Sequence, residues 1–389
     1  MRAENRQIAA YIFALMLGVG AVAFSPDSAQ AKVVKRDAAR SRTWQTEVVQ
    51  AERVPEHGEG EGSAVSGSGV IVAGAGTGGG NTVKIQSGTE AAGGIGVVTG
   101  QGAVTPPKDR KVVTTTLFDG GELMLIAPQT VGQMESFILT TKSGKIIVVD
   151  GGTEGDAPHL KQLLMEKGGR VSAWFITHPH SDHVGAMTKL IEEGDPALTI
   201  ENIYYNFPPL DWCRRNEAYR ADMVERCLNA LAKRDPASNH DQIGRGDTIQ
   251  IDDVTVHVLN TPYRFPINAI NNASVVYRVE MNGKRILFLG DLGVQGGNRL
   301  VEEYRDDPGA LKADIVQMAH HGQSGVDRNV YELVRPGIAL WCCPRWLWDN
   351  DNGGGVNSGN WKTLEVRSWM RQLNVKTHVV AKDGDQVLR

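Results

Sequence analysis

The sequence predicts an α/β protein in which two β-sheets pack face to face and helices cover their outer faces. Two observations lead to this prediction. Residues 122–149 and residues 248–289 each contain several strand patterns in succession. Alternating helices and strands follow in both places. Two similar halves, each built of strands and then helices, are typical of two packed sheets with helices outside.

The first half begins at about residue 110, and apolar periodicity predicts its elements. Strands are expected at 122–127, 136–141, 145–149, 171–176 and 199–205. Lys142-Ser143-Gly144 forms the turn between the second and third of these strands. Leucines at helical spacing predict a helix at 157–167, which Gly168-Gly169 ends, and a second helix follows at about 183–193.

The second half follows an insertion at residues 206–245, where the pattern predicts one helix at about 217–233. Asn282-Gly283 is a strong signal for a hairpin turn. Helices are expected at 326–334 and 361–373. Strands are expected at 248–251, 254–259, 274–279, 285–289, 315–318, 338–341 and 377–381.

The N-terminus has the features of a secretory signal. Arg2 and Arg6 form a basic start, an apolar run occupies residues 8–24, and Ala29-Gln30-Ala31 is a small-residue cleavage signal. We therefore predict a signal peptide at 1–31 and an exported protein. The alternative is an uncleaved membrane anchor, although the run is short for a spanning helix.

Residues 32–109 are predicted to be a flexible spacer rich in glycine and serine. Residues 58–102 alone hold 16 of the 45 glycines. Such a composition buries too little apolar surface to offset the entropy of ordering the chain. Residues 110–389 are therefore expected to form the folded domain.

Charge and cysteine content restrict the partners only weakly. The formal net charge of −4 belongs to residues 110–389, because the first 109 residues hold 10 Lys+Arg and 10 Asp+Glu. This balance gives no general attraction to nucleic acid. The four cysteines are interpreted as buried thiols, with a disulfide between Cys213 and Cys227 as the alternative in an exported protein.

Three histidines and one aspartate lie within six residues, in the order His178-x-His180-x-Asp182-His183. They follow the predicted strand at 171–176, and functional residues concentrate in such loops. Imidazole nitrogens and a carboxylate suit zinc and related divalent metals. His178 and His180 can bind one ion, while Asp182 and His183 can reach a second. The sequence therefore predicts a site for two metal ions.

Two later segments offer further ligands. Asp291 ends an apolar strand, where its carboxylate can bridge two ions. His320-His321-Gly322 follows another apolar strand. Spacing alone leaves open which of the two histidines binds metal. We favour His321 as the ligand, with His320 facing the substrate.

The order of these motifs resembles the metallo-β-lactamase superfamily over about 280 residues. The matching motifs are Asp150-Gly-Gly, the HxHxDH cluster, Gly290-Asp291 and His320-His321-Gly322. The resemblance is closer to the hydrolase domain of ComEC-type DNA-uptake proteins and to a secreted phosphorylcholine esterase. The segments that carry it are Gly132-Gln133 to Gly152, Asn271-Asn272-x-Ser274-Val275-Val276 and His320-His321-Gly322.

This resemblance implies an αββα four-layer sandwich with a dinuclear site along one edge of the sheets. It also implies two divalent ions, zinc foremost, with manganese or iron as alternatives. The implied ligands are His178 and His180 for one ion, Asp182, His183 and His321 for the other, and Asp291 as the bridge.

The resemblance also suggests roles for residues around the ligands. Asp150 is expected to orient the cluster loop from behind the ligands, and Asn272 to stand behind the ligands or contact the substrate. One departure concerns Asn271-Asn272, which stands where many members have a further histidine. The first ion is therefore expected to have fewer protein ligands.

These ligands imply a hydrolase that uses metal-bound hydroxide, because such ions lower the pKa of bound water to about 7. His320 and Asp182 are the candidate catalytic side chains, with His320 as a hydrogen-bond or proton donor. No serine or cysteine nucleophile is evident, so direct hydrolysis is the simplest mechanism.

We predict a phosphodiesterase that acts on a small-molecule or cell-envelope phosphoester. The alternatives are an extracellular nuclease linked to DNA uptake, a β-lactam hydrolase, and a non-enzymatic metal-binding surface module. Nucleic acid is not the favoured partner. A membrane contact is expected only through an uncleaved N-terminal segment.

Overall fold

The computed structural model describes residues 117–389 in full and, upstream of them, the backbone of four short strands. The chain divides into two compact units, Met1–Val70 and Ile71–Arg389. The predicted signal at 1–31 and spacer at 32–109 otherwise lie outside the described residues, so both stay predictions. The first unit contains a three-stranded antiparallel sheet of β1 (Val22–Phe24), β2 (Ala31–Arg36) and β3 (Trp44–Val49).

The second unit contains two sheets, of which the first has nine strands. They are β4 (Lys111–Val113), β5 (Glu122–Leu125), β6 (Phe137–Thr140), β7 (Ile146–Val149), β8 (Arg170–Phe175), β9 (Thr199–Ile200), β10 (Ile203–Tyr204), β11 (Asn239–His240) and β19 (Gln386–Leu388). Their order is β11-β10-β8-β7-β6-β5-β19-β4, with β9 also paired to β8. The pattern analysis did not predict β19, which pairs antiparallel with β5.

The second sheet has seven strands in sequence order. They are β12 (Thr248–Ile251), β13 (Val254–Val258), β14 (Tyr277–Met281), β15 (Lys284–Phe288), β16 (Ile315–Gln317), β17 (Ile338–Trp341) and β18 (Thr377–Val380). The first four pair antiparallel and the last four pair parallel. The predicted strands of this half are all present, within a few residues at their ends.

Ten α-helices, besides five short 3-10 helices, connect these strands in the described part of the chain. They are α1 (Ala157–Glu166), α2 (Ser181–Glu193), α3 (Leu210–Asn216), α4 (Ala221–Leu231), α5 (Ala269–Asn272), α6 (Val294–Glu303), α7 (Ala319–Gly322), α8 (Arg328–Val334), α9 (Arg345–Trp348) and α10 (Thr363–Gln372). Among the described residues, none of these helices has the length and apolarity needed to span a lipid bilayer.

The two sheets face each other across a shared apolar core. Phe137 of β6 and Phe288 of β15 meet edge to face with ring centroids 5.0 Å apart, and Phe175 meets Tyr277 at 5.3 Å. The outer face of each sheet forms a separate buried cluster with its helices. Burial of these three apolar layers is the main favourable contribution to folding. The predicted four-layer αββα sandwich is thus confirmed.

The insertion differs from its prediction, because it contains two helices where the sequence predicted one. Helices Leu210–Asn216 and Ala221–Leu231 are separated at Glu217, whose φ of −151° is not helical. The tight turn Ala218–Arg220 then redirects the chain. Apolar spacing locates the buried face of a helix, but it carries no signal for a break at a single residue.

Helix Val294–Glu303 was not predicted at all. Gly296 and Gly297 lie inside it, and glycine has a low intrinsic helix propensity. The structure requires the glycine at 297, because an added Cβ there would lie 2.8 Å from Cγ1 of Val326. Close packing between this helix and the segment before α8 therefore decides the local structure against the intrinsic propensity.

Candidate metal centre

Four loops that leave strand ends converge at one edge of the two sheets. They follow β7, β8, β15 and β16, and they carry Asp150, the HxHxDH cluster, Asp291 and the His320-His321 pair. Backbone hydrogen bonds tie the loops together, since Val275 N donates to Thr177 O at 2.8 Å and His320 N donates to Gly290 O at 2.9 Å. The edge of the sandwich is therefore the frame on which the candidate ligands are held.

Gly290 makes this convergence possible. Its φ is +53°, and an added Cβ would lie 2.7 Å from Cβ of Thr177 and 3.1 Å from Oγ of Ser274. Both the backbone conformation and the close approach require glycine. The backbone N–H of the next residue, Asp291, donates a hydrogen bond to Oγ of Ser274 at 3.2 Å.

The first group of donors, which we call the first half, consists of His178, His180 and Asp291. One donor atom of each lies within 4.8 Å of the others. His178 Nε2 is 3.7 Å from Asp291 Oδ2, and the two imidazole rings are 4.7 Å apart between centroids. All three residues are buried. Their geometry allows one divalent ion to be held between the histidine pair and the aspartate.

The second group, which we call the second half, consists of Asp182, His183, His321 and the same Asp291. His183 Nε2 lies 3.3 Å from Asp291 Oδ1. His321 Nε2 lies 3.2 Å from Asp182 Oδ2 and 3.6 Å from Asp291 Oδ2. Asp291 is therefore common to both groups, as expected of a carboxylate that bridges two ions.

The donor atoms that face the centre lack other partners. Buried atoms without a hydrogen bond among the described residues include Nε2 of His178, His183 and His321 and Oδ1 of Asp291. Nε2 of His180 also has no hydrogen bond there, but it lies 3.2 Å from the carboxylate of Glu217. A buried polar atom left without a partner costs about 1–3 kcal/mol. Four such atoms around one point fit a site built for cations, and the buried histidine–carboxylate set fits divalent metals.

Asp150 supports the second half from behind. Its Oδ2 lies 2.7 Å from His183 Nδ1, and its two oxygens accept hydrogen bonds from N and Oγ1 of Thr177 at 2.8 and 2.7 Å. A carboxylate can only accept, so His183 carries its proton on Nδ1 and turns Nε2 toward Asp291. This is the orienting position expected for Asp150.

His321 and His320 occupy different positions. His321 is fully buried, belongs to the second half, and has Nδ1 3.2 Å from Cys342 O. His320 is partly exposed, with Nε2 3.7 Å from Asp291 Oδ2. Both residues have φ near +55°, a conformation that costs an L-residue about 1–2 kcal/mol. This strained turn directs one histidine into the centre and leaves the other at its mouth.

The proton of His320 can be located from its partner. Nδ1 lies 3.3 Å from the carbonyl oxygen of Ser324, which can only accept a hydrogen bond. In the neutral ring the proton is therefore on Nδ1, and Nε2 carries a lone pair. Burial also lowers the pKa of His320 below its ordinary value, although Asp291 opposes this. His320 thus presents a proton acceptor to the centre.

Burial and charge give the two halves different protonation. Burial, reinforced by the charge of His183, holds the pKa of His178 well below its usual range. Burial opposes the charged form of His183 as well, but Asp291 and Asp150 hold its pKa well above its usual range. Burial raises the pKa of Asp291, yet His183 and His321 hold it well below the ordinary value. In the second half, a His183 that favours its charged form therefore lies beside ionised Asp291.

Asn272 makes its side-chain hydrogen bonds to residues outside the donor groups. Its side-chain nitrogen donates to Ile267 O at 3.0 Å and to Gln295 Oε1 at 2.9 Å, and its oxygen accepts from Gly296 N at 2.9 Å. These bonds tie α5 to the start of helix Val294–Glu303. Asn271 is the neighbour with a free acceptor, because its Oδ1 is buried without a hydrogen bond among the described residues.

Glu135, a buried carboxylate beside the centre, was not singled out from the sequence. It forms a third group with Asp150 and His183, with donor atoms within 4.8 Å of one another. Gln317 Nε2 donates to its Oε2 at 2.7 Å. Burial holds its pKa well above the ordinary value, although His183 opposes the shift. Its place two residues after Gln133, in a segment that carried the family resemblance, was the available signal.

Glu217 is a second residue that the sequence analysis missed. It separates the two helices of the insertion, and its Oε1 lies 3.2 Å from His180 Nε2. Burial raises its pKa, but His180, the Ile270 amide and the Tyr219 hydroxyl together hold that pKa below its ordinary value. Nothing in the local sequence distinguishes Glu217 from the other acidic residues of the insertion.

The four cysteines provide no nucleophile. All are buried and free, so the buried-thiol interpretation agrees with the structure and the alternative disulfide between Cys213 and Cys227 is absent. Burial raises the pKa of Cys213 to about 11 and that of Cys227 to about 12, and it raises those of Cys342 and Cys343 as well. A thiol with a raised pKa is a poor nucleophile at neutral pH.

Comparison with known proteins identifies the family. The profile of the metallo-beta-lactamase superfamily matches residues 130–336, which is more than half of the chain. The chain belongs to this superfamily. Members of this fold are generally metal-dependent hydrolases, and the clustered histidines and aspartates assign this member to the same enzyme class.

Two curated relatives match part of the chain. ComE operon protein 3 of Bacillus subtilis (strain 168) is 25% identical over 229 residues, which cover 54% of this chain and 27% of the relative. An uncharacterized protein of Aquifex aeolicus (strain VF5) is 29% identical over 161 residues, covering 41% of this chain and 65% of the relative. The chain thus spans less than two thirds of either relative. The predicted resemblance to the ComEC-type branch is confirmed.

Solved structures with this fold include two that each cover 69% of the chain. The metallo-beta-lactamase fold protein YhfI from Bacillus subtilis is 11% identical, with a TM-score of 0.44, and covers 69% of this chain and 99% of its own. Zn(2+)-bound PqqB from Methylobacterium extorquens is 12% identical, with a TM-score of 0.41 and the same coverage.

Proposed function

We propose that this superfamily member is an exported phosphodiesterase that uses two divalent metal ions, zinc foremost, to hydrolyse a phosphoric ester. The observation that carries the proposal is the pair of donor groups joined through Asp291. Two ions held a few ångströms apart suit in-line displacement at phosphorus, because one can stabilise the attacking oxygen and the other the leaving oxygen. The substrate would be a small-molecule or cell-envelope phosphoester.

The protein side chains have separate tasks in this proposal. The bound ions would supply an activated water and polarise the phosphoryl group. His320 offers its Nε2 lone pair at the mouth of the site, so it can accept a proton from the attacking water. The raised thiol pKa values leave no cysteine for a covalent route. These features together support direct hydrolysis.

The activity can be tested with the purified full-length protein and four substrates. They are bis-p-nitrophenyl phosphate, a chromogenic phosphorylcholine ester, single-stranded DNA and nitrocefin. We expect hydrolysis of a phosphoester that chelation abolishes and added zinc or manganese restores. Hydrolysis of DNA alone would favour the extracellular nuclease, and efficient hydrolysis of nitrocefin with no phosphoester cleaved would make the protein a β-lactam hydrolase.

Substitution separates an enzyme from a metal-binding surface module. His180→Ala should abolish the activity, while Asp306→Ala, a change at an exposed position, should leave it unchanged. Export has its own test, since the proposed signal peptide predicts a mature chain that begins at Lys32. N-terminal sequencing that finds Met1 on membrane-bound protein would replace export by anchoring.

A further inference from the structure

Each histidine of the two donor groups has one ring nitrogen within 3.2 Å of a polar atom outside the two groups. Three of them use Nδ1: it lies 3.1 Å from Thr177 Oγ1 in His178, 2.7 Å from Asp150 Oδ2 in His183, and 3.2 Å from Cys342 O in His321. In His180 the contact is made by the other nitrogen, because Nε2 lies 3.2 Å from the carboxylate of Glu217.

We propose that Glu217 is a positioning residue for the first half of the metal centre, which holds His180 so that Nδ1 binds the ion. A carboxylate can only accept a hydrogen bond, so Glu217 at 3.2 Å favours the ring form of His180 that carries its proton on Nε2. The remaining lone pair of the neutral ring is then on Nδ1. Metal-binding histidines usually give their second ring N–H to such an outer acceptor. The inference depends on the metal centre alone and is independent of the substrate.

Glu217 is itself held in place, as this role requires. Its Oε2 accepts a hydrogen bond from Ile270 N at 2.9 Å, and its Oε1 accepts one from the Tyr219 hydroxyl at 3.0 Å. The residue is only 7% exposed. A carboxylate fixed by two donors presents its oxygen to His180 at a defined position. It lies outside the group formed by His178, His180 and Asp291, as expected of a residue behind the ligands.

This arrangement gives the two halves of the centre a matching design. Asp150 orients His183 in the second half, and Glu217 orients His180 in the first half. Asp150 follows strand β7 of the sandwich, whereas Glu217 is supplied by the insertion at residues 206–245. The insertion thereby acquires a role in metal binding.

The decisive variant is Glu217→Gln. The Ile270 amide needs an oxygen, so the amide oxygen of the glutamine stays there and its NH2 group faces His180. Two donors then oppose each other, which favours the ring with its proton on Nδ1 and blocks that atom from the ion. We expect the affinity for one of two zinc ions to fall about 10–100-fold, while the other ion stays bound. Zinc titration against a competing chelator measures the affinity for each of the two ions.

A second readout follows the ring of His180 directly. Nitrogen-15 spectra of labelled histidine in the chelated protein should show His180 protonated on Nε2 in the wild type and on Nδ1 in Glu217→Gln. Glu225→Gln is the matched control, because Glu225 belongs to the same insertion and pairs with Arg214 at 2.8 Å on the surface. It should change neither the zinc affinity nor the spectrum.

Three outcomes would overturn the proposal. The first is two zinc ions bound by Glu217→Gln with wild-type affinities. The second is an unchanged protonation of His180. The third is loss of both ions together with a melting temperature far below that of Glu225→Gln in chelator, which would make Glu217 a scaffold residue only. None of these outcomes depends on phosphodiesterase activity, so they are distinguishable from a failure of the proposed function.

Discussion

The two halves of the metal centre share Asp291 but are built by different means. The second half takes Asp182, His183 and His321 from segments that follow strands of both sheets, the first two in the opening turn of α2. Asp150 behind it follows a third strand. The first half has two histidines of its own, and its outer carboxylate is provided by the insertion. The sandwich edge alone therefore explains the second half, while the first half also depends on a segment added to the sandwich.

The difference shows that two metal-binding groups at the same edge of the sandwich can be supported by different segments of the chain. At the position where a further histidine is expected for the first ion, the chain has Asn271 with a free buried oxygen. Glu217 of the insertion contacts the same half through His180, with its Oε1 3.2 Å from His180 Nε2. We expect the first ion to be held by fewer protein ligands and to depend more on its surroundings.

The largest effect is expected from Asp291→Ala, because this residue belongs to both halves. Its oxygens lie 3.3 Å from His183 Nε2, 3.6 Å from His321 Nε2 and 3.7 Å from His178 Nε2. Both ions should be lost and turnover should fall by several orders of magnitude. Elemental analysis of purified protein checks the metal content, with Asp306→Ala as a surface control. Retention of one ion would show that the halves do not share this ligand.

The next test separates the halves by removing one histidine from each. His180→Ala should leave about one ion per chain and lower turnover by several orders of magnitude, because an ion that activates water is lost. His321→Ala should release the other ion instead. Cobalt substitution and its absorption spectrum would distinguish the two remaining sites. Identical spectra in the two variants would mean that the division into halves is wrong.

His320→Ala should separate catalysis from metal binding. His320 is at the mouth of the centre and belongs to neither donor group. Loss of one acid or base is expected to lower turnover about 100-fold or more, while the metal content stays near two ions. Steady-state kinetics and elemental analysis on the same sample measure this. A loss of metal comparable with that of His321→Ala would contradict the choice of His321 over His320.

The smallest effect is a difference in the pH dependence of zinc binding. The pKa of His183 is raised by Asp291 and Asp150, so a proton must leave before zinc binds the second half. Below that pKa the affinity of this half should fall by about tenfold per pH unit. His178, whose pKa is lowered, has no such proton to lose. Zinc titrations of His321→Ala and His180→Ala from about pH 8 to about pH 6 compare the halves. Equal slopes of zinc affinity against pH in the two variants would contradict the predicted difference between the halves.

Much of the fold could be predicted because its signals are local. Continuous apolar runs identify strands such as β7 and β8, and Gly194 in the left-handed conformation ends helix Ser181–Glu193 near its predicted boundary. The errors arose where distant packing overrides local preference. Helix Val294–Glu303 contains Gly297 where Val326 comes close to it, and β19 is a strand because it pairs with β5 far away in the sequence.

The sequence by itself determined the superfamily and the chemical character of its site. Spacing within the cluster from His178 to His183, together with Asp291 and the histidine pair, names ligands whose chemistry suits divalent metals. These signals are readable because the residues are close in sequence or directly follow strongly apolar strands.

Only the tertiary structure decided how those ligands are oriented and which residues stand behind them. The left-handed turn at His320 and His321 separates the roles of two adjacent histidines. The pairing of His180 with Glu217, like the place of Glu135 beside His183, joins residues far apart in the chain. Hydrogen bonds and charge act over a few ångströms, so such partners are chosen by the convergence of loops in space and cannot be read from spacing along the chain.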